Sequence, residues 1–204
     1  KRMYTPAVGA GAVMDYLSLT GRDSLAGAEI LAQVPGKYTS SVEYGENPIA
    51  KSLRDVARIH TAGVGTRVFY TNHPGYDTHS HQPPVHPRLL QEMSGALSDF
   101  LQDLREHDAA EEVSILVFTE FGRRMKDNGS GTDHGSGGVA FAIGDKVKGG
   151  QYGEYPSMKA EDLQQGDLVP SLDYRGLYST VLEDWLGLDA KPIVKGTYEK
   201  PSFL

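Results

Sequence analysis

The sequence predicts an α/β fold, a three-layer α/β/α sandwich around a mostly parallel sheet. Segments with helical periodicity alternate along the chain with short apolar runs, as in strands joined by helices. One run, EVSILVFTE, is apolar without alternation, which is typical of a strand covered on both faces. With 39% hydrophobic residues among 204, we expect a single domain over 1–204. It would have an irregular lead-in at 1–46, a core at 47–188 and a tail at 189–204.

Four segments have the features of helices. The first is LAGAEILAQ, with Asp23 and Ser24 placed as its N-cap. The second begins at Asn47, with Pro48 in its first turn, where a proline fits the helical backbone. The third and longest is PRLLQEMSGALSDFLQDLREH, in which apolar residues keep one stripe. The fourth, DYRGLYSTVLEDWLGL, starts near Asp173 and closes the predicted core.

Three short runs between these helices are predicted to be parallel strands. They lie near 67–71, 113–119 and 139–143, and each is rich in β-branched, aromatic or other apolar residues. In an open parallel sheet, ligands bind outside the carboxyl ends of the strands. The polar residues that follow or precede these runs are therefore expected to meet at one edge: Asp77, His79, His81, Glu120, Arg123, Asp133 and His134.

Charge and composition narrow the classes of partner. The 20 basic residues are outnumbered by 27 acidic ones, and a formal charge of −7 disfavours a nucleic-acid binder or an anionic-membrane binder. Cysteine is absent, which excludes disulfides and thiolate metal sites. No apolar run is long enough to predict a membrane span.

Several motifs, in a fixed order, resemble a known family. They read GYDTHSHQ, ILVFTEFGRR, NGSGTDHG, GGQYG and LDYRGLY, and the resemblance runs from about Tyr70 to Leu188. The chain resembles the C-terminal half of domain-of-unknown-function family 1501, which is placed in the alkaline phosphatase and sulfatase superfamily. The resemblance implies an alkaline-phosphatase-like fold, hydrolysis of a small anionic phosphate or sulfate ester, and an extracytoplasmic or periplasmic location in bacteria reached by twin-arginine export.

The resemblance also implies that the domain is incomplete at its N-terminus. Superfamily members place a metal-binding aspartate and a serine or threonine nucleophile on early strands, and the early segment of the family has no counterpart here. Association with a missing N-terminal segment, or with another chain, would then complete the site.

A metal site is implied by the same resemblance. In the superfamily one ion is held by an aspartate, a histidine four residues later and a distant histidine, which carries over to Asp77, His81 and His134. His79 competes with His81, and the residues alone do not separate them. The one that does not bind would orient the ligands. Zinc is the expected ion for this oxygen and nitrogen donor set, with manganese or calcium as alternatives.

The second superfamily ion normally takes an Asp-His pair directly after a strand. Here that place reads Glu120-Phe121, and phenylalanine cannot bind a metal. Glu120 and Arg123 are the predicted catalytic residues, the first as a metal ligand or base and the second as an anion clamp. Asp133 and Arg124 are predicted to contact substrate or to orient the ligands.

Each of these residues also has a structural interpretation. Asp77 and Asp133 suit loop turns, and Glu120 suits the cap of a following turn. Arg123 suits a carboxylate partner. Asp173 is favoured as a helix cap that pairs with a nearby arginine.

Two functions therefore stand after the sequence alone. One is a metal-dependent hydrolase of phosphate or sulfate esters, favoured by the set of Asp77, His81 and His134. The other is a non-catalytic binding or structural protein that retains the scaffold, favoured by Phe121 and the missing nucleophile. His107, near the end of the longest helix, is expected to be structural, since an imidazolium suits a helix C-terminus.

Overall fold

The computed structural model of the chain describes residues 11–32, 36 and 38–204. Five α-helices and four strands are present in these residues. The helices are α1 (Gly11–Leu31), α2 (Pro48–Thr61), α3 (Gln82–Glu106), α4 (Tyr174–Thr180) and α5 (Lys191–Val194), and the strands are β1 (Ile115–Val117), β2 (Gly122–Asp127), β3 (Thr132–Gly135) and β4 (Phe141–Ile143). Short 3-10 helices occupy Ala110–Glu112 and Ala160–Asp162, and a π-helical turn, Val181–Trp185, continues α4.

The predicted sandwich with a mostly parallel sheet is wrong. The described strands form two separate antiparallel pairs, β1 with β4 and β2 with β3. Residues 67–71 are not a strand, and within 113–119 only Ile115–Val117 is one. An apolar run predicts that a strand forms but not the direction of its partner. Here the β2–β3 hairpin reverses the chain, so that β4 returns beside β1 in the antiparallel sense.

The described residues group into two compact units, and residues of α3 fall in both. The first unit is made of two stretches, the described residues up to His73 and the later segment Gly95–His107. The second includes Pro74–Ser94 and Asp108–Leu204. Among the described residues, no helix is both long and apolar enough to cross a bilayer.

In the first unit, α2 confirms the predicted helix and its start. The side chain of Asn47 accepts a hydrogen bond from the amide of Ala50 at 2.9 Å, and Pro48 is the first helical residue. Its buried residues share one face, as the apolar spacing indicates: Ile49, Ala50, Leu53 and Ala57.

Helix α1 begins earlier than predicted. It starts at Gly11, so Asp23 and Ser24 lie inside it and do not cap it, and the lead-in predicted to be irregular contains this helix. The Ser24 hydroxyl donates to the carbonyl of Thr20 one turn back, at 2.8 Å, a bond that serine makes inside a helix. Gln33, at the end of the predicted segment, lies outside the described residues.

The second unit has its own buried residues. The apolar ones come from α3, the short 3-10 helix after it, the α5 region and the end of the chain: Leu89, Ala109, Ala110, Ala190, Val194 and Phe203. The predicted cap of the fourth helix is confirmed, because Asp173 accepts from the amide of Arg175 at 2.9 Å and pairs with its guanidinium at 2.6 Å. The structural interpretation of Asp173 therefore holds, and the unit presents its polar motifs on the loop before α3 and on the β2–β3 hairpin.

Candidate metal centre

Three side chains of the second unit bring their ligand atoms together. Asp77 and His79 lie in the loop before α3, and His134 lies on β3. The Oδ1 atom of Asp77 is 2.7 Å from Nε2 of His134 and 3.0 Å from Nε2 of His79. One oxygen and two nitrogens lie within 4.8 Å of one another, and all three residues are exposed. This ligand cluster, Asp77, His79 and His134, is therefore open to solvent and to a small molecule.

The β2–β3 hairpin places His134 beside that loop. Arg123 on β2 lies opposite His134 on β3 in the strand register. The Oδ1 atom of Asn128 closes the turn by accepting hydrogen bonds from the backbone amides of Ser130 (3.1 Å) and Gly131 (2.9 Å). A Cβ on Gly131 would collide with the carbonyl oxygen of Thr78. Glycine is needed at this position because the hairpin turn and the loop of Asp77 approach at backbone distance.

The other ring nitrogen of His79 is held by a carboxylate. Its Nδ1 lies 3.1 Å from Oδ1 of Asp133. Asn128 donates from Nδ2 to that same oxygen at 3.3 Å and to the carbonyl of His79 at 3.0 Å. Metal-binding histidines in proteins are typically oriented in this way through the nitrogen that does not face the ion.

Arg123 binds backbone carbonyls. Its guanidinium donates to the carbonyl of Thr132, to that of Tyr76 at 2.5 Å and to Oγ1 of Thr78 at 3.4 Å. Its Nη2 also lies 4.0 Å from Oδ1 of Asp77. The predicted roles were a carboxylate partner and an anion clamp, whereas the closest contacts of this guanidinium are to backbone carbonyls, which hold the loop.

Phe121 has a place in the site although it cannot bind a metal. Its ring stacks on the imidazole of His134, with centroids 3.9 Å apart and planes 10° from parallel. The guanidinium carbon of Arg123 lies 5.0 Å from the centre of the same ring. Phe121 thus covers one face of His134 and leaves the Nε2 edge directed at Asp77.

Both aspartates of the site are stabilised as carboxylates. The hydrogen bond from His134 lowers the pKa of Asp77, and the positive charge of the Arg123 guanidinium acts in the same direction. Hydrogen bonds from His79 and then Asn128 lower the pKa of Asp133. Ionised oxygens are the form in which aspartate binds a cation or orients an imidazole.

Besides Arg123 and Asp133, three further predicted site residues lie outside the ligand cluster. His81 has a left-handed backbone (φ 54°), and its amide donates to the hydroxyl of Ser130 at 3.0 Å. Arg124 pairs with Asp167 at 3.0 Å and donates to the carbonyl of Gln165 at 3.3 Å. Glu120 is exposed in the segment between β1 and β2.

Two residues of the site were missed by the motif-based prediction. Phe121 was judged only by its inability to bind a metal. Asn128 had a usable signal, because Asn128-Gly129 is a strong turn dipeptide that predicts a hairpin. That signal places the turn and says nothing about the hydrogen bonds that its side chain makes to His79 and Asp133.

The ligand cluster fits a divalent ion by the chemistry of its donors. One carboxylate and two imidazoles form a set that suits zinc and leaves further coordination positions to water or substrate. The exposure of the cluster supplies that open side. The bond from Asp133 to His79 supplies the orientation that such sites need.

Comparison with known proteins gives one match. Residues 39–201 match a family model described as a protein of unknown function, DUF1501. No curated protein and no solved structure matches the chain. The matched range contains the whole ligand cluster, the β2–β3 hairpin and Asp173.

Proposed function

The chain belongs to the DUF1501 family of proteins of unknown function, and from that premise we propose that it binds a divalent ion, zinc foremost, for the hydrolysis of phosphate or sulfate esters. The observation that supports this proposal is the ligand cluster, whose three donor atoms lie within 4.8 Å of one another in an exposed position. Asp77, His79 and His134 would hold the ion.

Each residue of the site has a part in this proposal. When bound, the ion supplies a Lewis acid that polarises an ester oxygen and stabilises the charge that develops on the transferred group. Asp77 provides the anionic oxygen of the site, and Asp133 orients His79 through Nδ1. The exposure of all three residues leaves the cluster accessible to an anionic ester from solvent.

The nucleophile must come from outside the ligand cluster. Thr78 is the nearest threonine in sequence, but it is buried, and its Oγ1 faces the amide of Gln82 at 3.0 Å and the carbonyl of Tyr76 at 3.4 Å. Arg123 is likewise bonded to two carbonyls. A hydroxyl from another part of the polypeptide, or from another chain, would have to complete an enzyme.

These occupied side chains favour a second candidate function. Thr78 and Arg123 are engaged in holding the loop, so neither is available to act on an ester at the ion site. A protein that binds metal without turnover, and serves as a binding or structural component, has this composition. The two candidates share the ligand cluster and differ in whether an ester is cleaved.

The test measures metal content and turnover on the same samples. Wild type, Asp77→Asn and a matched loop control, His73→Gln, are dialysed against zinc and analysed by elemental mass spectrometry. We expect zinc in the wild type and the control and its loss in Asp77→Asn, because the amide removes the only charge among the three donors. Equal zinc in all three would reject the site.

Turnover is measured with aryl phosphate and aryl sulfate esters. The 204-residue chain and the native full-length gene product are assayed with zinc, manganese, magnesium and calcium added separately. We expect little or no hydrolysis by the chain alone and metal-dependent hydrolysis by the native product, abolished by Asp77→Asn. Zinc binding without turnover of either ester by the native product would support the non-catalytic candidate instead.

A further inference from the structure

We propose that Phe121, Gly122 and Arg123 form a positioning bracket that holds the metal ligands in place before any ion binds. This inference rests on the proposed metal site and assigns the role of residues that bind no ion themselves. Phe121 fixes the imidazole of His134, Arg123 fixes the loop of Asp77, and Gly122 allows both side chains to come from one short segment at the start of β2.

The first arm of the bracket is the stacked ring of Phe121. His134 is exposed on a two-stranded hairpin, and the ring of His79 lies near its imidazole, with centroids 4.7 Å apart and planes tilted by 33°. The ring of Phe121 lies closer, at 3.9 Å and 10° from parallel, so this stacked contact holds the imidazole plane. Its Nε2 then faces Oδ1 of Asp77 at 2.7 Å. A ligand held in its binding orientation loses less conformational entropy when the ion arrives.

The second arm is the guanidinium of Arg123. The carbonyls that it binds belong to Tyr76 and Thr132, the residues directly before Asp77 and Asp133. One planar group therefore ties the loop that carries Asp77 to the strand that carries His134. The fork of an arginine reaches two carbonyls at once, whereas the ammonium of a lysine is a single point of attachment.

Gly122 joins the two arms at a place where no side chain fits. A Cβ on Gly122 would collide with the carbonyl oxygen of Gly137, and the amide of Arg123 donates to that same carbonyl at 3.0 Å. The close approach of these backbones fixes the start of β2. Phe121 and Arg123 consequently face the site from adjacent positions, with the guanidinium carbon 5.0 Å from the ring centre.

The bracket is tested with variants that change each arm and keep the backbone. Phe121→Leu removes the stacked ring, Phe121→Trp restores a flat ring, and Arg123→Lys keeps the charge and loses the fork. The matched controls are Phe141→Leu, a half-exposed phenylalanine on β4, and Arg88→Lys, an exposed arginine on α3. The readouts are cobalt(II) affinity, the cobalt(II) d–d absorption spectrum and thermal unfolding.

We expect Phe121→Leu and Arg123→Lys to weaken cobalt(II) binding by ~10–100-fold, the range typical of residues that orient metal ligands. Their d–d spectra should change, since the ligand geometry is no longer fixed. Phe121→Trp should stay close to the wild type in both measurements, and the two controls should match it. Wild-type affinity and spectrum in Phe121→Leu and Arg123→Lys would overturn the bracket, as would weaker binding that follows a loss of thermal stability with an unchanged spectrum.

A measurement without metal separates this inference from the proposed function. In the metal-free protein the ring current of Phe121 shifts the imidazole proton resonances of His134 in the NMR spectrum. These resonances should move in Phe121→Leu and stay in place in Phe141→Leu. If the wild type binds neither cobalt(II) nor zinc, the proposed function fails, and the bracket then stands or falls on this shift alone.

Discussion

Asp77 and Asp103 each lie beside histidine, one at the surface of the second unit and the other in the interior of the first. The side chain of Asp77 is 62% exposed and that of Asp103 is fully buried. Around Asp77, two imidazole nitrogens converge on one oxygen and face solvent. Around Asp103, the hydroxyls of Tyr38 (2.5 Å) and Tyr44 (2.7 Å) both donate to Oδ2. Aspartate and histidine are therefore exposed and accessible to a ligand around Asp77, whereas around Asp103 they are engaged in hydrogen bonds within the protein.

His107 also lies beside Asp103, and both of its ring nitrogens are engaged by the protein. Its Nδ1 is 2.8 Å from the carbonyl of Asp103, and its Nε2 is 2.9 Å from the carbonyl of Thr39. Carbonyl oxygens only accept, so both ring nitrogens of His107 face acceptors of the protein, and neither is left to bind an ion. The difference teaches that a histidine next to an aspartate indicates a metal site only where exposure leaves donor atoms free to coordinate.

The largest expected difference is in stability. Asp103→Ala should lower the free energy of unfolding by ~1–3 kcal/mol, because it removes the carboxylate oxygen that accepts from two half-buried tyrosine hydroxyls. Asp77→Ala, at an exposed carboxylate, should leave unfolding nearly unchanged. Urea denaturation followed by circular dichroism measures both. Similar losses in the two variants would break the comparison between a structural and a binding aspartate.

The next largest difference is in metal affinity, which we expect to change at the ligand cluster and not beside Asp103. His134→Ala should weaken zinc binding by ~10–100-fold or more, since it removes a ligand from an exposed cluster. His107→Ala should bind zinc as the wild type does, because both its nitrogens already face carbonyls of the protein. Competition with a chromophoric chelator measures both affinities. Equal weakening in the two variants would mean that the ligand cluster is assigned to the wrong histidine.

Local signals in the sequence predicted local structure well. Asn47 and Pro48 marked the start of α2, and Asp173 marked the start of α4, because a cap depends on residues within one turn. The direction of strand pairing could not be predicted in this way. The composition of the run at 113–119 suits a covered strand in either direction. A parallel partner would need a crossover connection, usually a helix, but the segment between β1 and β4 contains the β2–β3 hairpin, and β4 pairs antiparallel.

The sequence predicted which residues gather at the candidate site but did not predict the role of each one. The ordered motifs gathered Asp77, His79 and His134 with their neighbours before any geometry was known. His79 rather than His81 joins the ligand cluster, and His81 has a left-handed backbone (φ 54°), which no spacing rule predicts. The sequence offers a carboxylate partner and an anion clamp as roles for Arg123, and it does not predict the backbone carbonyls that the guanidinium binds.

The smallest expected effect is the pH dependence of the stability that His107 contributes. The hydrogen bond between His107 and the backbone carbonyl of Asp103 raises the pKa of His107 in the folded protein. The negative charges of the Asp103 and Glu106 carboxylates act in the same direction. A group whose pKa is raised by folding contributes stability that is complete below its unfolded value and is lost as the pH rises through the folded value. Glu106, whose pKa is lowered by its bonds to Ser41, acts with the opposite sign at acidic pH. The stability that wild type holds over His107→Gln should therefore be larger at about pH 6 than at about pH 9. Thermal unfolding of both proteins across this range measures the difference, and a stability advantage that grows as the pH rises would show that His107 is not held as an imidazolium.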